Sequence, residues 1–347
     1  MTAAATEPAQ QRDLHVGVGL RTADEERITR QRRSDFRSRH GSRGRTAYRV
    51  HMTRDGSDLG RVVKLPCSRI AATAVPQMFG YRMPPMPGVH RGLPSPYLTL
   101  VFSLNGPLPI QVPEGDRLRA GTFSAPVGGL HTRPVLLPPA VDAVGRVAPV
   151  QRGIQLAVHP FAACALFGLP ATALSGQVLE LADLVHDGDE LIERLNDDID
   201  GPTAAALVTG WLDRRLSMGP RGQLPAELLR AWQLIVGSGG CCRIGDVASD
   251  VGWSRRHLTT RLRAEIGLGA KDLARMARFQ LSRSMLLTGR LPLADVAADC
   301  GYSDQPHLTA EWRQFAGCTP GQWIAGELPT LAPADHHDTN SSHSSKT

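Results

Sequence analysis

Four arginines, Arg255, Arg256, Arg261 and Arg263, fall within residues 253–263 with no acidic residue among them. Guanidinium groups are permanently charged planar forks that bind phosphate and donate in pairs to guanine edges. Ser254, His257, Thr259 and Thr260 are interleaved with them and add polar groups able to read bases or hold phosphates. The spacing predicts a helix, because Leu258, Leu262 and Ile266 then face inward while Arg255, Arg256, Thr259, Thr260 and Arg263 point out. A helix about 10–12 Å across fits the major groove of DNA. Arg255, Arg256 and Thr259 are the expected base contacts; Thr260, Arg261 and Arg263 are the expected phosphate contacts.

The segment is half of a repeat. DVASDVGWSRRHLTTRLRAEIG at 246–267 returns as DVAADCGYSDQPHLTAEWRQFAG at 295–317, one residue longer. Two copies make a duplicated supersecondary unit, not a solenoid. Each reads as a helix-turn-helix. Ile244, Val247, Ala248 and Val251 form the buried face of a short first helix, Gly252 supplies the left-handed turn, Trp253 fills the corner and Ser254 caps the next helix.

In the second copy Leu293, Val296, Ala297 and Cys300 build the first helix, Gly301 and Tyr302 the turn, and Ser303 or Asp304 the cap, with Pro306 in the first turn. Leu308, Trp312 and Phe315 face inward. Gln305, His307, Thr309 and Arg313 are left outside, and Glu311 is expected to offset Arg313, so this second surface is electrostatically weaker. His307 reads equally as a base contact or as a hydrogen-bonded histidine. Between the units KDLARMARFQLSRSMLLTG predicts a long helix with Leu273, Met276, Ala277, Gln280, Leu281 and Ser284 on one side, which fixes the orientation of the two readers.

The rest of the 347 residues must position these helices. Charge is uneven: residues 21–64 hold 13 Lys/Arg against 6 Asp/Glu, residues 65–220 hold 11 against 13, and residues 221–320 hold 13 against 9. A basic part beside a near-neutral one fits a chain of which one half meets a polyanion. Residues 1–64 are Arg-, Ser- and Gly-rich without apolar periodicity, and are expected to be a disordered basic arm, a solvated tail or an extension upstream of a start at Met52 or Met78.

Residues 65–170 are expected to be β-rich, from Pro/Gly punctuation and alternating runs such as YLTLVFSLNGPLPIQV, in which Asn105-Gly106 predicts a hairpin, and RGIQLAVH at 152–159. Pro160 opens a helix, VLELADLVHDGDELIERLNDDI is expected to continue as helix, and Leu207, Val208, Trp211 and Leu212 share a face of a third. Residues 171–220 therefore read as a helical linker or dimerisation region, 221–325 as the all-helical DNA-binding domain and 326–347 as a disordered tail. The fold class is α+β.

With these motifs in place, the chain resembles the AraC/XylS family of bacterial regulators over Leu224–Trp323, through GWSRRHLTTRLRAEIGLGAKDLARMARF and DVAADCGYSDQPHLTAEWRQFAGCTPGQW. The resemblance carries DNA-reading positions onto Arg255, Arg256, Thr259 and Thr260, and onto Gln305, His307 and Thr309; Ser254, His257, Arg261, Arg263 and Arg313 complete the expected DNA-binding set. The second reading helix departs from the family, which usually ends it with several basic residues where this chain has Ala310-Glu311-Trp312-Arg313-Gln314. The resemblance also implies a cupin-like sensor domain before the DNA-binding domain. It implies promoter DNA, RNA polymerase and a small-molecule effector as partners of a monomer or homodimer, and no cofactor.

Other classes fit less well. His90, His131 and His159 lack the His-x-His spacing of a cupin metal site, so neither a metal ion nor a catalytic group is assigned. Alkyl transfer of the kind seen in repair proteins would need a cysteine-rich zinc domain, and the N-terminal half has only Cys67 and Cys164. The six scattered cysteines read as core thiols of a cytoplasmic protein, and no run is long and apolar enough for a membrane helix. An architectural DNA binder without sequence preference is the alternative function.

Overall fold

Leu98–Ser103 and Gln151–Val158 alternate buried with partly exposed residues, the period of a strand with one covered face. They become β4 and β9, paired antiparallel at the centre of a six-stranded sheet. In chain order the strands are β1 (Arg61–Lys64), β2 (Gln77–Met83), β3 (His90–Gly92), β4, β5 (Leu108–Glu114), β6 (Arg117–Phe123), β7 (Pro126–Gly128), β8 (Val135–Leu137), β9 and β10 (Val178–Glu180). The first sheet runs β1-β2-β9-β4-β7-β10 and the second β3-β8-β5-β6. The computed structural model describes residues 61–83, 88–139, 150–196, 201–219, 225–289 and 291–327. The expected basic arm up to residue 60 and the expected tail after residue 327 lie outside the described residues.

The helices are α1 (Ala71–Ala74), α2 (Ala163–Phe167) after a 3-10 turn at Pro160–Ala162, α3 (Ala171–Leu174), α4 (Leu181–Leu184), α5 (Gly188–Asn196), α6 (Gly201–Met218) and α7 (Ala226–Gly237). Then follow α8 (Ile244–Asp250), α9 (Arg255–Ile266), α10 (Ala270–Leu286), α11 (Leu293–Asp299), α12 (Gln305–Ala316) and α13 (Pro320–Glu327). A β-rich part thus precedes an all-helical part, the α+β order read from sequence.

One face of the large sheet, through Leu98, Leu100, Phe102, Ile154, Leu156 and Val158, is buried with α2 and α6, and the Phe102 ring meets Trp211 edge-on at 6.4 Å. Leu108, Ile110, Val112, Phe123, Val135 and Val178 make a smaller separate core. The larger core continues without a break into α7–α13, through Trp232, Leu258, Leu273, Val296 and Trp312.

Several expectations are corrected. Asn105-Gly106 does turn, with Gly106 at φ +107°, but it joins no hairpin: β4 and β5 lie in different sheets. The Asn105 side chain accepts from Arg152 N–H (2.8 Å) and donates to the Val150 carbonyl, pinning the corner to β9. The hairpin that does form joins β5 to β6.

The acidic run after residue 177 is not continuous helix. Val178–Glu180 pairs with β7, because the Glu180 carboxylate accepts from Ser124 N–H and Ala125 N–H at 2.7 Å each, and only then do α4 and α5 begin. Ordered strand therefore extends on both sides of the 65–170 range. Only Cys300 and Cys318 are core thiols, while Cys164 and Cys241 are exposed. The connecting helix α10 is buried on more than its expected face, since Phe279, Ser282 and Leu286 pack as deeply as Leu273 and Met276. It has neighbours on several sides.

Candidate nucleic-acid interface

Both units are built on one plan from local chemistry. After α8, Gly252 adopts φ +72° and Trp253 N–H bonds back to Ala248 O (2.8 Å); after α11, Gly301 adopts φ +72° and Tyr302 N–H bonds to Ala297 O (2.9 Å). A side chain with a Cβ resists this left-handed region, so glycine is what lets each first helix stop on its buried face.

The next helix is then capped. Ser254 Oγ accepts from His257 N–H (3.1 Å) and Asp304 Oδ1 accepts from His307 N–H (2.7 Å). Of the two caps left open for the second unit, Asp304 is the one used. Gly267 and Gly317, at φ +78° and +68°, close the two reading helices α9 and α12 with their N–H groups on Arg263 O and Arg313 O.

A pairing not anticipated from sequence repeats as well. The Trp253 ring meets His257 edge-on (4.8 Å, 89°) and the Tyr302 ring meets His307 likewise (5.2 Å, 85°). An aromatic four or five residues before a histidine was the available signal. Ser303 N–H donates to His307 Nδ1 (3.3 Å), so the neutral ring carries its proton on Nε2 and presents a donor. His307 is both hydrogen-bonded and exposed.

Arg255, Arg256, His257, Thr260 and Arg263 are exposed along α9, and Gln305, His307 and Arg313 along α12; Thr259 and Thr309 are half-buried. Thr259 and Arg263 lean over Gly269, where a Cβ would approach Arg263 Nε to 3.2 Å. Arg261 pairs with Glu265 (3.5 Å), so part of its charge is already answered on its own helix.

Residues 247–326 match the family described as helix-turn-helix domain. A protein of Streptomyces antibioticus described as an AraC-like transcription regulator is 28% identical over 86 residues, 25% of this chain and 28% of that protein. The chain carries a helix-turn-helix domain. The match spans only 28% of the length of that curated relative. Among solved structures, ToxT of Vibrio cholerae is 13% identical, with 75% of this chain and 100% of that chain covered and a TM-score of 0.45. The C-terminal domain of AraT, a response regulator of Geobacillus stearothermophilus, is 22% identical, with 34% and 98% covered and a TM-score of 0.30.

Within the helix-turn-helix domain, Glu311 is not on the reading face. It is 5% exposed and accepts from Arg275 Nε of α10 at 2.6 Å, while Arg275 Nη2 reaches Gln314 (2.5 Å) and the guanidinium lies 5.3 Å from the Phe315 ring centre. The expected offset of Arg313 by Glu311 is therefore wrong: an acid on α12 turns inward because a cation 36 residues earlier is there to receive it. Burial, and next the Glu311 carboxylate, push the neighbouring Tyr302 hydroxyl far above its ordinary pKa. Trp312 Nε1 donates to Ser282 Oγ (2.9 Å), completing a polar seam between α10 and α12.

The β-domain grips this domain at four places. Trp232 of α7 lies against His159 and Tyr97, with ring centres 4.2 and 5.3 Å away. Gln280 Nε2 of α10 donates to Pro94 O (2.6 Å). A Cβ on Gly267 would come 2.9 Å from Ser175 Oγ, and one on Gly317 would come 3.5 Å from Pro134. The C-terminal ends of both reading helices thus rest on the β-domain, while their first turns face outward.

His159 and His131 are both held down to about pH 4 by burial, which strips water from the charged ring; a backbone contact with Gln177 opposes this at His131. Among the described residues no group of three or more His, Cys, Asp or Glu is placed to hold a metal ion, and no helix is long and apolar enough to cross a membrane.

Proposed function

We propose that the protein is a sequence-specific transcription regulator, working in the cytoplasm, that reads double-stranded promoter DNA with α9 and α12 and is not an enzyme. The observation that carries this is the duplicated unit: two capped helices of the same construction, each with an exposed polar first turn, Arg255-Arg256-His257 in one and Gln305-Pro306-His307 in the other. Helices held by a shared connecting helix can enter successive major-groove segments about one turn of DNA apart without a second copy of the chain.

Arg255, Arg256 and Thr259 are the proposed base contacts of the first unit, and Gln305, His307 and Thr309 those of the second. Ser254, His257, Thr260, Arg263 and Arg313 support them at phosphates or caps, and Arg261 does so less, being paired. A small molecule held by the β-domain would act through the contacts at Trp232, Gly267, Gln280 and Gly317. RNA polymerase is the further partner of this reading.

The test is selection of bound sequences from random DNA by the full chain, since the helical part shares its core with the sheet. The expected result is a bipartite motif with halves about ten base pairs apart. In the double variant Arg255→Ala, Arg256→Ala one half should vanish and affinity fall by about 30-fold or more, at about 1–3 kcal/mol per lost bidentate contact. Salt-sensitive binding without any motif would replace this reading with the architectural one.

A further inference from the structure

Two sulfur atoms touch, and a third sits against the backbone of one of the same residues, where the two helix-turn-helix units and their connecting helix converge. Cys300 Sγ, at the end of α11, lies 3.4 Å from Met285 Sδ of α10. Cys241 Sγ, in the turn between α7 and α8, lies 3.3 Å from the carbonyl oxygen of Cys300 and would touch a Cβ at Gly301 at 3.5 Å. Each sulfur comes from a different element. Cys300 is fully buried and Cys241 exposed, so the cluster has a closed floor and an open door.

Beside it stands Arg278. Its Nη2 donates to Gly240 O (3.1 Å), its guanidinium lies 5.5 Å from the Tyr302 ring centre, and its Nε is buried without a hydrogen-bond partner. Among the described residues no carboxylate forms an ion pair with it. A half-buried cation thus stands next to the two thiols.

We propose that Cys241, Cys300 and Met285 form a binding site for one soft monovalent cation of the copper(I) class. Two thiolates and a thioether are the donor set that soft cations select. Binding releases two protons: one cation and two thiols give a bis-thiolate complex of net charge −1 and two hydrogen ions. The Arg278 guanidinium, which favours the thiolate form of both cysteines, also favours that single negative charge; a divalent ion on the same thiolates would leave a neutral complex with no such attraction. Zinc(II) moreover takes four ligands in closed sites, and these elements offer three sulfurs. Burial raises both thiols, Cys300 to about 12, and Arg278 opposes the rise at both. Uptake therefore competes with protons and strengthens as pH rises.

The test offers copper(I), held by a chromophoric chelator under nitrogen, to the full-length reduced chain. One equivalent should leave the chelator, with higher affinity at pH 8 than at pH 6.5. Cys241→Ser, at an exposed position, should weaken uptake at least about 100-fold, and Met285→Leu about 10-fold, by analogy with the losses seen when the surroundings of metal sites are altered. Cys242→Ser and Cys164→Ser should change nothing. Copper(I) should raise the unfolding temperature of the wild type and not that of Cys241→Ser, which separates ligation from a folding defect. No withdrawal of copper, equal withdrawal by Cys241→Ser, or dependence on Cys242 instead would overturn the proposal.

Discussion

The rings of His159 and Trp232 lie 4.2 Å apart at 46°, joining the end of β9 to α7. Phe161 and Tyr97 close around the same histidine at 5.1 and 6.4 Å. An imidazole kept uncharged by burial behaves here as one more aromatic ring, and through it the sheet and the DNA-reading helices share a core.

Trp232→Ala should open a cavity at this junction and destabilise the chain by about 3–5 kcal/mol, the range for losing a buried tryptophan side chain. Denaturant unfolding followed at both domains is the measurement. The wild type should unfold in one transition and the variant in two. His159→Phe, which keeps a ring, should cost much less; a shift under about 1 kcal/mol for Trp232→Ala would show that the contact is incidental.

Stability should fall on mild acidification. His159 and His131 titrate at about 4 in the fold and near 6.5 when unfolded, so between those values the unfolded chain binds protons that the native one refuses. The contribution is complete above pH 6.5 and is lost progressively as pH falls towards 4, by up to about 3 kcal/mol per histidine at about 1.4 kcal/mol per pKa unit. Unfolding midpoints from pH 7 to pH 4.5 check the sign, and His159→Phe should flatten the curve by its share.

Glu311→Ala should cost about 3–5 kcal/mol, because it strands the Arg275 charge in a largely buried seam. Arg275→Met combined with Glu311→Leu should recover much of that loss. A double-mutant cycle on thermal stability reads the coupling, and strict additivity would mean that the pair does not hold α10 to α12.

Gly240→Ala should be more damaging than Gly289→Ala, although both residues sit at positive φ. The left-handed conformation alone costs a non-glycine residue about 1–2 kcal/mol. At Gly289 the added methyl meets open space; at Gly240 it would lie 1.9 Å from Ala274 O, forcing the turn before α8 away from α10. Equal losses of stability in the two variants would contradict this close approach.

The two helix-turn-helix units were legible residue by residue because everything that defines them is local. A glycine that reaches positive φ, a cap three residues ahead of the N–H it accepts from, and leucines repeating every four residues act within one or two turns of chain. Ser254, Gly252, Leu258 and Leu262 therefore announced their places, as did Gly301, Tyr302 and Leu308.

What tertiary structure alone decided is the identity of partners distant in sequence. Asn105-Gly106 specified a turn but not which strands it would join. Val178–Glu180 reads as helix until Glu180 finds the N–H groups of Ser124 and Ala125. Glu311 reads as a surface acid until Arg275 takes it inward. Nor did any spacing place Trp232 on His159, or Cys241 beside Cys300. Propensity and periodicity describe how a segment meets its own neighbours, whereas burial of a charge or a ring is decided by what another segment brings to the same place.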